Sequence, residues 1–184
     1  MREHHGPSGG ARRLLRQRQY DLHRRWARPL YDTVRATGAQ NPVVIGGLDW
    51  AYDLSGVPAN RIDGYNIAYA THPYSASGEQ PIDWESFWGL LTATDPVIVT
   101  EFGDTETACA TAYSAALIRY ADAHLTSWTA WAWYPGGCSF PALIDDWAAT
   151  PSAVGEIVKS ALLSYGDASA SPPDGGMAEG GATQ

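Results

Sequence analysis

The sequence predicts an α/β fold in which four parallel strands and their helices form part of a (β/α)8 barrel. Four apolar runs, at 42–47, 67–70, 96–100 and 128–133, are nearly continuous rather than alternating, as expected of strands covered on both faces. Stretches of helical periodicity at 82–92 and about 106–124 separate the last three runs, and another at about 151–164 follows the fourth. A βα unit repeated in this way implies right-handed crossovers and a parallel sheet, either doubly wound or part of a barrel. The residues after each run choose between these. Asp49 and Trp50, His72 and Tyr74, Glu101, then Trp133 and Tyr134 all follow strands directly, on the face where barrel active sites assemble. A doubly wound dinucleotide fold would carry Gly-x-Gly-x-x-Gly after a strand, and the sequence has none.

Ahead of the first strand, Pro29–Ala36 has apolar residues at helical spacing and Gly38 stands where a C-cap belongs. Residues 1–28 read differently. Nine of the twelve basic residues lie between Arg2 and Arg35, and only Arg61, Arg119 and Lys159 follow. Two readings of this segment stand: a basic arm for nucleic acid or an acidic partner, or sequence translated from a shifted frame of a GC-rich region. At the other end, the chain after Tyr165 turns to Gly, Ala, Ser and Pro, which reads as a disordered tail or linker. The expected organisation is therefore an atypical segment 1–28, a domain at 29–165 and a tail at 166–184.

Composition narrows the function. Eight Trp and ten Tyr against three Phe is a surplus of rings that join an apolar face to a polar edge, as sugar-binding clefts do. A net charge of −8 and a pI near 4.9 disfavour nucleic acid or an anionic membrane as the main partner. No apolar run reaches the roughly 18 residues of a spanning helix, and the start lacks the apolar core of a signal peptide.

Asn66–Tyr74, with its His72-Pro73-Tyr74 ending, followed by Pro96–Gly103, with its Glu101-Phe102-Gly103 ending, resembles the sixth and seventh strands of glycoside hydrolase family 5. Trp131–Pro135 looks like the eighth strand of that family and Asn41–Trp50 like the fifth. The resemblance covers about residues 29–165 and about half of the family's domain. It implies a cellulase- or endo-β-glucanase-like retaining hydrolase acting on a β-linked polysaccharide, without metal or organic cofactor and extracellular in habit. Glu101 would be the nucleophile, with His72 and Tyr74 beside it in the catalytic group, and Trp133 would be a sugar platform.

The residue types suit that chemistry. Retaining hydrolysis uses two carboxyl groups about 5–5.5 Å apart, one attacking the anomeric carbon and one protonating the departing oxygen. The attacking carboxylate must stay ionised, which hydrogen-bond donors such as the Tyr74 hydroxyl favour. Trp133 is the better stacking candidate; Trp50 serves either as a second sugar contact or as filling between strand and helix. Asp49, Asp53, Asp104 and Glu106 lie near the same face without matching a catalytic position, and Asp104 or Thr105 suits a helix N-cap. Cys109 and Cys138 fit a bridge between adjacent βα units, which would imply an oxidising compartment, or else two buried thiols.

One departure from the family pattern stands out. The acid/base Glu normally follows the fourth strand in Asn-Glu-Pro, which occurs nowhere in the sequence. Glu3 is the only Glu before Glu79, and its surroundings do not match. The expectation is a fragment whose activity alone is impaired; a non-catalytic sugar-binding remnant or a pseudogene product are the alternatives.

Overall fold

The computed structural model describes residues 9–75, 79–105, 109–136 and 141–169. Its elements in chain order are α1 (Gly9–Ala36), β1 (Val43–Gly46), α2 (Val57–Asn60), β2 (Ile67–Thr71), α3 (Pro81–Phe87), β3 (Val97–Val99), α4 (Ala112–Ala123), β4 (Ser127–Trp128) and α5 (Ala153–Ser169). All strand pairings are parallel and the sheet order is β1-β2-β3-β4. The predicted βα repeat is therefore realised. Every residue of β2 from Ala68 to Thr71 is buried, as a strand with neighbours on both sides and helices over its face requires.

The helices seat against the sheet through aromatic rings. Trp84 and Trp88 are almost wholly buried and meet Tyr120 edge-on, with ring centroids 5.3 and 4.9 Å apart, so α3 and α4 pack through one ring cluster. The single helix expected at 82–92 is in fact two pieces. α3 ends at Phe87, and after Trp88 the chain tightens into a 3₁₀ turn, Gly89–Ala93. At Gly89 a Cβ would stand 2.0 Å from the Tyr120 hydroxyl, so the close approach of α4 needs a glycine there.

Four boundaries differ from the sequence reading. α1 begins at Gly9 rather than near Pro29 and crosses residue 28 without a break. Its anchors are polar: Tyr20 is buried and donates to the Asp53 carbonyl and carboxylate, while Arg16 pairs with that carboxylate at 3.2 Å. Arg35 donates to the carbonyls of Ala39, Asn41, Tyr65 and Asn66, tying the helix end to the entries of β1 and β2. Gly38, at φ 81°, closes the helix in the left-handed conformation expected of it. α4 starts at Ala112 with Thr111 at its N-cap position, so Asp104 and Thr105 do not cap it. β4 is shorter than 128–133: after Thr129 bonds to Val99, Ala132 pairs instead with Pro141 and Leu143 of the following loop. α5 extends to Ser169, taking in the first four residues of the expected tail, and 170–184 lie outside the described residues.

α5 lies so close to that loop that a Cβ on Gly155 would sit 1.9 Å from the Leu143 carbonyl oxygen. Gly155→Ala should lower unfolding stability by about 1–3 kcal/mol through overpacking. Gly166→Ala, on the exposed end of the same helix with open space around it, should instead raise stability by roughly 0.5–1 kcal/mol. Urea titration of the two variants checks both signs; equal effects would show that the close approach at Leu143 is absent.

Candidate active site

His72 and Tyr74 come from the loop after β2, and Thr100 and Glu101 from the segment after β3. Pairing continues past the strand ends: Thr100 N–H donates to the Thr71 carbonyl at 3.2 Å, and Tyr74 bridges to Gly103 in parallel register. Gly103 is required at that point, since a Cβ would approach Pro141 to 2.4 Å. The two loops are thus held side by side. Phe102 points the other way, into the core, which leaves Glu101 facing the C-terminal edge.

The Tyr74 hydroxyl donates to Glu101 Oε2 at 2.8 Å. Burial, then the bond to Glu101, push the Tyr74 phenol far above its ordinary pKa, so it remains a neutral donor to the carboxylate at working pH. His72 Nδ1 lies 3.7 Å from the same oxygen, and its Nε2 is 2.7 Å from Thr100 Oγ1. Both His72 and Glu101 remain about a quarter exposed, open to an incoming ligand. The structure therefore brings together the three residues expected to form the catalytic group.

The tryptophans are placed otherwise. Trp50 is 93% exposed, on a tight turn in which Asp49, Trp50 and Ala51 all have positive φ, so it fills no gap between strand and helix. Trp133 is 64% exposed and lines an apolar cavity with Leu143, Val158 and Leu162, on the α5 side of the rim. Trp131, which the sequence reading did not single out, is also exposed at the same rim. Asp53 is structural, held by α1 and by the Ser55 N–H at 2.9 Å. Asp104 accepts from the Ser75 hydroxyl at 2.6 Å and so braces the two loops. Glu106 and Cys138 lie outside the described residues; Cys109 is disulfide-bonded. Among the described residues no cluster of His, Cys, Asp or Glu could hold a metal ion, and no helix is long and apolar enough to cross a membrane.

Glu79 was missed. Its Oε2 accepts the Tyr74 N–H at 2.8 Å, and its backbone carbonyl accepts from Trp84 Nε1 and the Tyr113 hydroxyl. Tyr74 is thus held from both ends, its amide by Glu79 and its hydroxyl by Glu101. The available signal was Pro81 at the first turn of α3, which places Glu79 in a loop on the site's face.

A parallel βα sheet with a carboxylate, a tyrosine and a histidine converging on its C-terminal edge is the arrangement of a (β/α)8-barrel site. Residues 5–137 match the family model for cellulase, glycosyl hydrolase family 5, and the chain belongs to that family. A β-glucanase from Saccharophagus degradans, solved alone and with cellotetraose, superimposes with a TM-score of 0.65 at 30% identity, over 79% of this chain and 47% of that one. The catalytic domain of a Thermobifida fusca endoglucanase shares the fold with a TM-score of 0.62 at 18% identity, over 78% of this chain and 53% of that one. The chain thus spans about half the length of the solved structures it matches. No curated protein matches it by sequence. The family match runs through residues 5–28, the segment whose composition sets it apart.

Burial raises the Glu79 carboxyl to a pKa of about 7, the Tyr74 N–H partly offsets this, and Asp49 adds to it. A carboxyl whose folded pKa exceeds its unfolded value holds its proton more tightly in the folded state. Its stabilising contribution is therefore complete below about pH 4.5 and is lost as pH rises through about 7. Melting temperatures between pH 4.5 and 8 should fall less steeply for Glu79→Gln than for the parent. Parallel profiles would show that Glu79 titrates normally.

Proposed function

We propose that this chain carries the nucleophile of a retaining glycoside hydrolase that cleaves O-glycosyl bonds of a β-linked glucan. The observation that carries this reading is the 2.8 Å bond from the Tyr74 hydroxyl to Glu101 at the C-terminal sheet edge. In the first step a Glu101 oxygen bonds to the anomeric carbon while the bond from that carbon to the leaving oxygen breaks, and the leaving oxygen takes a proton from a general acid. Water then attacks the glycosyl-enzyme, gives a proton to the same acid/base group and frees Glu101. Tyr74 contributes by keeping a neutral donor on the carboxylate, and His72, about a quarter exposed, is placed to bond a sugar hydroxyl. The S. degradans relative, seen with cellotetraose, supports a β-1,4-linked glucose oligosaccharide as ligand. Trp133 and Trp50, exposed at the rim, suit ring stacking further along the glucan.

Proton donation is the step for which this chain has no family residue, since Asn-Glu-Pro is missing from its sequence. General acid assistance contributes roughly 10²–10⁴-fold, so the chain alone should leave cellulose intact. An activated aryl glycoside departs without that proton. Incubation with a 2-fluoro aryl cellobioside and peptide mapping should place the label on Glu101, with none on Glu101→Gln. Tyr74→Phe should slow labelling about 10–100-fold, as loss of a hydrogen bond to a charged group does. Label on a different carboxylate would overturn the assignment.

A secreted location fits the bonded state of Cys109, with Cys138 as the proposed partner. Intact mass after alkylation should rise by two alkyl groups only when reduction precedes it; two alkyl groups without reduction would refute the bridge.

A further inference from the structure

Tyr74 meets the continuation of β3 on one side. Gly103 donates to the Pro73 carbonyl and accepts the Ser75 N–H, so the Tyr74 N–H between them points to the opposite side of the strand. There the chain after β1 has turned back on itself: the Gly47 N–H bonds to Ala70, and Leu48 then pairs with Asp53. The acceptor that the Tyr74 N–H finds is the Glu79 side chain, at 2.8 Å. A carboxylate thus takes the place of a neighbouring strand's carbonyl.

Glu79 is itself fixed from the core. Its carbonyl accepts from Trp84 Nε1 at 3.1 Å and from the Tyr113 hydroxyl at 2.7 Å. Trp84 lies on α3 and Tyr113 on α4; both are buried, and their rings meet edge-on at 5.4 Å. Gln80 beside it donates to the Ser75 carbonyl at 2.7 Å, tying this segment to the residue after Tyr74. A run of bonds therefore leads from the ring cluster between the helices, through Glu79 and Tyr74, to Glu101. We propose that Glu79 is a positioning residue for the nucleophile, its side chain setting the Tyr74 backbone and so the hydroxyl from which Glu101 accepts. The assignment rests on Glu101 acting as the nucleophile.

The groups around this carboxyl are acids and phenols. Asp49 and Tyr52 from the turn after β1, Tyr74 after β2 and Tyr113 of α4 act on it directly. Asp83 of α3 acts on the Tyr52 phenol, Asp104 after β3 on that of Tyr113, and Glu101 on that of Tyr74. Burial, with Asp49 adding to it, pushes the Glu79 carboxyl up to about 7, so the Tyr74 N–H faces a carboxylic acid below that pH and a carboxylate above it. A charged acceptor makes a bond roughly twice as strong as a neutral one. Ionisation therefore tightens the hold on Tyr74 even as it costs the fold stability. A glutamine would hold the amide alike at every pH.

The test compares labelling of Glu101 by a 2-fluoro aryl cellobioside in the full chain and in Glu79→Gln, whose amide oxygen still accepts the Tyr74 N–H. The ratio of parent to variant rates should rise from about 1 near pH 5.5 to roughly three- to fivefold near pH 8.5, with its midpoint at about 7. Taking the ratio cancels the other groups that titrate over this range. In protein carrying 13C- and 15N-labelled tyrosine, the Tyr74 signals are identified by their loss in Tyr74→Phe. The Tyr74 amide and ring Cζ resonances should both shift with the same midpoint, and Glu79→Gln should abolish both shifts. A flat rate ratio beside a titrating amide would reduce Glu79 to a loop contact and overturn the proposal. A Tyr74 amide or Cζ that ignores this titration in the parent would overturn it without any variant. Should Glu101 take no label at all, the nucleophile reading falls, and the Cζ resonance decides the positioning of Tyr74 by itself: movement with Glu79 supports it and its absence sinks it.

Discussion

Pairing between β2 and β3 continues beyond the last residues of both strands, through the bridge from Tyr74 to Gly103. That continuation sets a tyrosine and a glutamate from different βα units within one hydrogen bond of each other. It depends on a residue with no side chain, because Pro141 lies where a Gly103 Cβ would be. It depends also on Ser75, whose hydroxyl binds Asp104 and accepts the Thr105 N–H at 2.9 Å. The geometry of Glu101 is therefore a property of backbone register rather than of its own rotamer. A substitution at Gly103 would disturb the nucleophile without touching any polar atom near it.

Charge in this chain is put to structural use where it is buried. Arg16 and Tyr20 hold the Asp53 side chain, and Arg35 is spread over four carbonyls between the rings of Tyr31 and Tyr65. These contacts place α1 against the loop after β1 and against the entries of β1 and β2. Arg13, Arg18, Arg24 and Arg25 of α1 are exposed to solvent, which is how a segment can look foreign in composition and still be integral to the fold.

Strands β1 to β3 were legible because buried parallel strands leave nearly unbroken apolar runs, and the residues following them named His72, Tyr74 and Glu101. β4 was only half legible. Its Trp-rich continuation has strand-forming residues, yet after Thr129 its partner is a loop, and local sequence does not encode which partner a strand-like segment finds. The part of α1 before Pro29 escaped because Leu14, Leu15, Leu22 and Trp26 face outward, so the burial that periodicity should detect is carried there by Tyr20. Glu79 escaped for another reason. Its importance comes from half-burial and from one backbone amide, both of which exist only once the loop is folded.

Strand order follows chain order without exception, and this has a kinetic consequence. Paired strand residues are separated by 24 positions between β1 and β2 (43 to 67), 28 between β2 and β3 (69 to 97) and 29 between β3 and β4 (98 to 127). No pairing requires closing a loop longer than one βα unit, so the entropy of chain closure is met in small instalments. Such a sheet can grow by accretion, each unit docking on the one before it, and its contact order stays low for a parallel architecture. The same modularity lets a run of consecutive units keep its internal register when separated from the rest of a barrel.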